Sequence, residues 1–316
     1  MAILGQKNSE PHAEGSLLAR LWIYQGERFP LMKTAPLLVV FSAASISISA
    51  VLADRPLPGW SAYLAGFVVV FLLFFQLRAC DEVKDLEDDT QYRPERPIPR
   101  GLVSLKLIVG LGWTSIPLAS IAAWAWHPPL LLLLGLVWIW LAAMTFEFGA
   151  PSWLRARPSL YLISHMAIMP LIDLLLTGFE WLPHGAAPEG IWFFLALSLA
   201  NGCVLELGRK TWAPENERAG VDTYSALWGV PRATLTWIGF VSAALLLLLG
   251  LGWTTGYFLP IAVIATIAFA ICLWTARNFL QAPTPRNEKS LDTIAGLWVF
   301  VCYGTAGFVP VILRGM

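Results

Sequence analysis

The chain has 316 residues, of which 57% are hydrophobic and 13% charged. Soluble domains carry about a quarter charged residues, so the apolar excess is larger than a water-facing fold needs. Its 21 Lys and Arg balance 21 Asp and Glu, which leaves no bulk field to attract a polyanion. These figures exclude a disordered chain, a disulfide-stapled secreted domain and a nucleic-acid binder, and they point to a lipid bilayer as solvent.

Residues 1–33 form a polar N-terminal segment. Within it Leu17, Leu18, Leu21 and Trp22 recur at helical spacing, which predicts a partly interfacial helix. Nine continuous apolar stretches follow, near 34–52, 60–79, 103–124, 129–148, 159–178, 190–208, 232–251, 257–276 and 291–313. Each approaches the ~20 residues that a spanning helix needs. Barrel strands would alternate and be shorter. The first stretch begins too late and runs too long for a cleaved signal peptide. Most of the 16 Trp lie near span ends, as in an interfacial belt. The expected fold is all-α, with nine transmembrane helices around a central apolar chamber, in one domain covering 1–316.

With the N-terminus placed in the cytoplasm, 19 of the 21 Lys and Arg fall on that side, and only Arg55 and Arg314 fall on the other. The positive-inside rule therefore predicts an integral multi-pass protein, N-terminus cytoplasmic and C-terminus outside, expected in a bacterial inner membrane. Cys80, Cys203, Cys272 and Cys302 are scattered along the spans, without metal or disulfide spacing, and read as packing residues.

The anions are concentrated. Residues 81–89 carry six carboxylates and one ammonium directly after the second span. As a helix, this segment would stack Asp81, Asp85 and Asp89 on one face, with Glu82 beside them. Like charges so placed call for cations, and oxygen ligands shared with phosphate suit Mg²⁺; a solvated acidic cap is the alternative. Arg93, Arg96 and Arg100 follow in a run stiffened by Pro94, Pro97 and Pro99. Arginines held so are suited to bidentate phosphate contacts, or serve only as membrane anchors. A second mixed-charge loop, 206–223, contains Glu206, Arg209, Lys210, Glu215, Asn216, Glu217, Arg218 and Asp222. Two such loops on one side could close over one diphosphate.

At these residues the chain resembles the UbiA superfamily of intramembrane prenyltransferases. Members carry nine transmembrane helices, an Asn-Asp-x-x-Asp-x-x-x-Asp motif and a later Asp-x-x-x-Asp. Here the first motif reads Asp81-Glu82-x-x-Asp85-x-x-x-Asp89, preceded by Arg78 and followed by an Arg-Pro-x-Arg-Pro-Ile-Pro-x-Gly run. The second is degraded: Glu206, Glu215 and Glu217 remain, Lys210 stands where some members carry an acid, and Asp222 replaces the usual Lys of the tail 220–229. A divergent branch is expected.

The resemblance implies a Mg²⁺-dependent transfer of a prenyl group from an allylic prenyl diphosphate to a lipophilic or aromatic acceptor. Asp81, Glu82, Asp85 and Asp89, with Glu217 opposite, would hold the metal. Arg78, Arg93, Arg96, Arg209 and Lys210 would clamp the diphosphate, and Asn216 is a further substrate contact. Trp113, Phe146, Phe148 or Tyr161 could steady a carbocation, unless they only pack. Polar residues within spans are functional candidates by default. Of these, His165 is the candidate to orient or deprotonate an acceptor and Glu147 is placed to reach the site, while Asp173 and Asn201 read as interhelical hydrogen-bond partners. Two other readings stand beside this one: a UbiA-type terpene cyclase that uses no acceptor, and a non-catalytic or transport membrane protein.

Overall fold

In the computed structural model, which describes residues 15–315, every regular element is a helix. In chain order they are α1 (Leu17–Arg28), α2 (Leu31–Leu52), α3 (Trp60–Lys84), α4 (Leu86–Tyr92), α5 (Leu105–Trp126), α6 (Leu130–Thr145), α7 (Pro151–Arg155), α8 (Pro158–Met166), α9 (Ile168–Trp181), α10 (Ile191–Arg209), α11 (Tyr224–Trp228), α12 (Val230–Thr255), α13 (Phe258–Gln281) and α14 (Pro285–Arg314). Eight spans are long and apolar enough to cross a membrane, with α8 and α9 counted as one. The ninth apolar helix, α6, has 16 residues and reaches about 24 Å at ~1.5 Å per residue. It stops early because Glu147 and Phe148 adopt φ of 50° and 52°, which no α-helix accommodates.

The nine helices pack in a ring that follows chain order, and α14 closes it against α2. Lipid tails give apolar helices no solvent-driven reason to associate, so close backbone approach does the work. A Cβ at Gly307 would lie 2.5 Å from Ala44 Cα, and one at Gly208 2.5 Å from Ala295 Cβ. These two glycines allow α14 to seat against α2 and α10.

Several polar side chains inside the ring pair with one another, as a water-free interior favours. Asp173 accepts from Ser45 Oγ (2.6 Å) and from the Tyr303 hydroxyl (2.5 Å), joining α2, α9 and α14. Asn201 Oδ1 accepts from Trp298 Nε1 at 3.2 Å. At one end of the ring Arg55 pairs with Glu180 (2.7 Å) and Arg314 with Asp54 (3.0 Å). These are the two arginines that the charge count sets apart from the rest.

The opposite end carries the charged loops. There α1 buries Tyr24 and packs Leu21 on a small apolar cluster of Ala79, Leu102, Val103 and Ile108, leaving Leu17, Leu18 and Trp22 exposed. This is the amphipathic helix expected within 1–33; residues 1–14 of that segment lie outside the described residues.

Candidate functional site

A cavity of about 690 Å³ opens at the charged end. Its mouth carries eight cationic side chains, from Arg28, Arg78, Lys84, Arg93, Arg96, Arg155, Arg209 and Lys210. Six carboxylates stand among them: Asp81, Asp85, Asp88, Glu147, Glu206 and Asp222. The rest of the wall is largely apolar, with Leu38, Phe74, Leu77, Met144, Ile168 and Met169. The volume lies within the roughly 300–1,000 Å³ typical of ligand pockets.

The acidic run divides in two. The helix kinks at Asp85, where α3 ends (φ −87°, ψ 0°) and α4 begins, so the expected single face of Asp81, Asp85 and Asp89 does not form. Asp81, Asp85 and Asp88 line the cavity. Glu82 and Asp89, expected among the metal ligands, turn away from it: both are buried and already neutralised. Glu82 Oε1 takes Arg28 Nε (2.7 Å), Arg78 Nε (3.3 Å) and the Tyr24 hydroxyl (3.2 Å). Asp89 takes both oxygens' bonds from Arg96 (2.6 and 2.7 Å) and one from Arg93 (2.9 Å). Burial and the neighbouring Glu82 carboxylate push the Tyr24 hydroxyl far above its ordinary range, which keeps it a donor. Glu27 on α1 pairs with Arg100 at 2.7 Å, and that hydrogen bond holds its carboxyl below the usual range. The arginine-proline run is therefore first a staple, binding α1 and α4 together, and Arg78, Arg93 and Arg96 reach the cavity from that framework.

The second loop also departs from expectation. Glu217 does not reach the cavity. It accepts from the hydroxyls of Thr223 (2.7 and 2.8 Å) and Ser225 (2.6 Å) and so shapes its own loop. Asn216 donates to Glu288 of α14 at 2.8 Å, away from the cavity wall. Glu206, Arg209 and Lys210 do line it. Glu206 is neutralised in place by Arg209 (2.5 Å) and Lys210 (2.9 Å), so it is no free metal ligand. Trp113 and Phe146 face outward, 69% and 75% exposed, which removes them as partners for a cation in the cavity. Phe148 packs edge-on against Trp140 and His165, and Tyr161 is on the wall.

In the sequence Lys84 is one cation in an acidic run. In the structure it is the hub of a buried cluster. Its Nζ donates to Glu147 Oε1 (2.5 Å), to the Tyr161 hydroxyl (2.5 Å) and to His165 Nε2 (3.2 Å). Tyr161 stacks on His165 with centroids 3.9 Å apart and 12° between planes. The sequence signal was present, since a lone lysine at the end of a span must find a carboxylate, but its partner lies 63 residues on.

Among the described residues no three His, Cys, Asp or Glu side chains converge into a preassembled metal cage. The cavity carboxylates nonetheless suit Mg²⁺, which prefers oxygen, keeps waters and shares substrate phosphates. Asp81 and Asp85 are one helical turn apart, and among the described residues neither Asp85 nor Asp88 is taken up by an ion pair. These carboxylates could hold such an ion.

The family model described as the UbiA prenyltransferase family matches residues 38–301. No curated protein matches the chain in sequence. Among solved structures, the apo form of a UbiA homolog from Aeropyrum pernix K1 superposes with a TM-score of 0.67 at 16% identity, covering 88% of this chain and 98% of that one. A structure of digeranylgeranylglyceryl phosphate synthase superposes with a TM-score of 0.63 at 13% identity, covering 93% and 99%.

Proposed function

We propose, since the chain belongs to the UbiA prenyltransferase family, that it moves a prenyl group from an allylic prenyl diphosphate to a lipophilic or aromatic acceptor. The observation that carries this reading is one cavity with two chemistries: a mouth dense in paired charge and an interior of Leu, Ile, Met and Phe. A diphosphate with a long apolar tail is complementary to both. The sorting of 19 of 21 cations supports placing the charged end in the cytoplasm.

Asp81, Asp85 and Asp88 would hold Mg²⁺, which when bound supplies charge neutralisation for a leaving diphosphate. Arg209 and Lys210 bind diphosphate oxygens from α10, across the cavity from the carboxylates of α3. Arg78 and Arg93 bind from the stapled side, where Glu82 and Asp89 fix their directions. Glu206 holds Lys210 in place until an anion arrives. The apolar wall takes the prenyl chain and excludes water from the carbon that leaves the diphosphate. The Tyr161 ring lies on the same wall, stacked on His165 and beneath Lys84 Nζ.

The test is Asp85→Ala in the full-length protein in a bilayer. Mg²⁺-dependent release of diphosphate is expected to fall below detection with no loss of thermal stability, because Asp85 holds no ion pair. Full turnover in this variant would refute the metal assignment.

A further inference from the structure

The two oxygens of Glu147 have different fates. Oε1 takes Lys84 Nζ at 2.5 Å and the Tyr161 hydroxyl at 3.2 Å. Oε2 is buried without a hydrogen-bond partner, on a side chain 8% exposed that lines the cavity. A buried carboxylate oxygen left so is costly and unusual.

The neighbouring His165 does not relieve it. His165 Nε2 lies 3.5 Å away. The proton of His165 sits on Nδ1, 2.9 Å from the Tyr161 carbonyl, because a carbonyl can only accept. Nε2 therefore presents a lone pair and receives Lys84. Oε2 and Nε2 face each other as two acceptors with no proton between them. The backbone holds this arrangement at a cost, since Glu147 and Phe148 both adopt positive φ, a region that non-glycine residues seldom enter and that concentrates at functional sites.

We propose that Glu147 Oε2 receives the hydroxyl of the acceptor and is the general base of the transfer. This rests on the prenyl-transfer reading above and adds the acceptor's class: a neutral hydroxyl. An anionic group is repelled from Oε2, whereas a hydroxyl supplies the missing donor. In the step, a lone pair of the hydroxyl oxygen forms the bond to C1 of the prenyl chain. The bond from C1 to the diphosphate oxygen breaks, and its electron pair leaves with the diphosphate. The hydroxyl proton passes to Oε2 and later to water at the mouth. The products are a prenyl ether, diphosphate and one proton. Lys84 is a positioning residue here: by fixing Oε1 it leaves Oε2 turned to the acceptor. His165, whose Nε2 is engaged by Lys84, is not the base.

The experiment compares wild type with Glu147→Gln, full-length in nanodiscs. Two quantities are read: the Kd for farnesyl or geranylgeranyl thiolodiphosphate, and ether formation from the matching diphosphate with a panel of lipophilic alcohols and phenols. Ether formation is expected to fall by about 10²–10⁴-fold, the usual worth of a general base, while Kd stays within about threefold. Because Glu147→Gln strands the charge of Lys84, the double variant Lys84→Met/Glu147→Gln removes the buried pair together and is expected to show the same loss. Ether formation near the wild-type rate in either variant overturns the assignment. A wild type that releases diphosphate but forms a carbon–carbon product or a hydrocarbon overturns the hydroxyl class while leaving prenyl chemistry intact. A wild type that neither binds nor cleaves a prenyl diphosphate overturns both readings.

Discussion

Glu82→Ala separates the two roles that the acidic motif combines. The side chain is 4% exposed and its Oε1 holds Arg28, Arg78 and Tyr24. Removing one partner from a buried charge pair costs about 3–5 kcal/mol. Here the lower end applies, because Arg28 retains Asp89 at 3.9 Å and Arg78 retains Asp81 at 3.6 Å. The loss falls on the contact between α1 and α3, not on the ring, since Arg28 and Tyr24 both belong to α1. A weakening of about 3 kcal/mol corresponds to roughly 150-fold in the opening equilibrium of α1. Hydrogen–deuterium exchange of peptides covering 17–28 reads it directly: their protection is expected to drop by about that factor while α9 and α10 are unchanged. Asp85→Ala serves as the contrast, with exchange in α1 unaltered. Equal protection of α1 in wild type and Glu82→Ala would refute the division of the motif into staple and cavity carboxylates.

Lys210→Ala is expected to raise the Kd for a prenyl thiolodiphosphate about tenfold, near the low end for a hydrogen bond to a charged group, because Glu206 already holds Lys210 at 2.9 Å; an unchanged Kd by calorimetry counts against the clamp. Tyr303→Phe leaves Asp173 with Ser45 as hydroxyl donor and is expected to cost about 1–3 kcal/mol, seen as a lower Tm in a thermal-shift assay. An unaltered Tm would mean that this buried cluster contributes nothing net. The Glu27–Arg100 pair gives a pH dependence of known sign. The folded-state pKa of Glu27 lies below its ordinary 4.5, so its stabilisation is complete above about pH 4.5 and fades as pH falls through the folded value. Exchange in α1 should rise over that acid range in wild type and lose this component in Glu27→Gln.

The helices were legible because apolar runs of about 20 residues have few other uses, and sorting the cations fixed their number. What the runs did not carry is where a helix stops early: α6 ends at a pair of positive-φ residues, Glu147 and Phe148, that no composition betrays. The cavity loops were legible as charge-dense segments, and Asp81, Asp85, Arg209 and Lys210 do meet across one space. Which carboxylates face that space was not, because the decision is made elsewhere. The kink at Asp85 rotates Asp89 toward Arg93 and Arg96, and Arg28, from the N-terminal segment, claims Glu82. Spacing along one helix cannot register a partner 54 residues away. Glu217 and Asn216 are drawn away from the cavity in a similar way: Thr223, Ser225 and Glu288 satisfy them within the loop and against α14.

A structure of the protein with Mn²⁺ and a prenyl thiolodiphosphate tests the proposed site most directly. The diphosphate is expected at the cavity mouth, between Asp81 and Asp85 on one side and Arg209 and Lys210 on the other, with its chain along Leu38, Phe74 and Met169. The anomalous signal of the metal should fall beside Asp85 and not at Glu82 or Asp89. A diphosphate bound outside this mouth, or metal at the Glu82–Asp89 staple, would contradict the account.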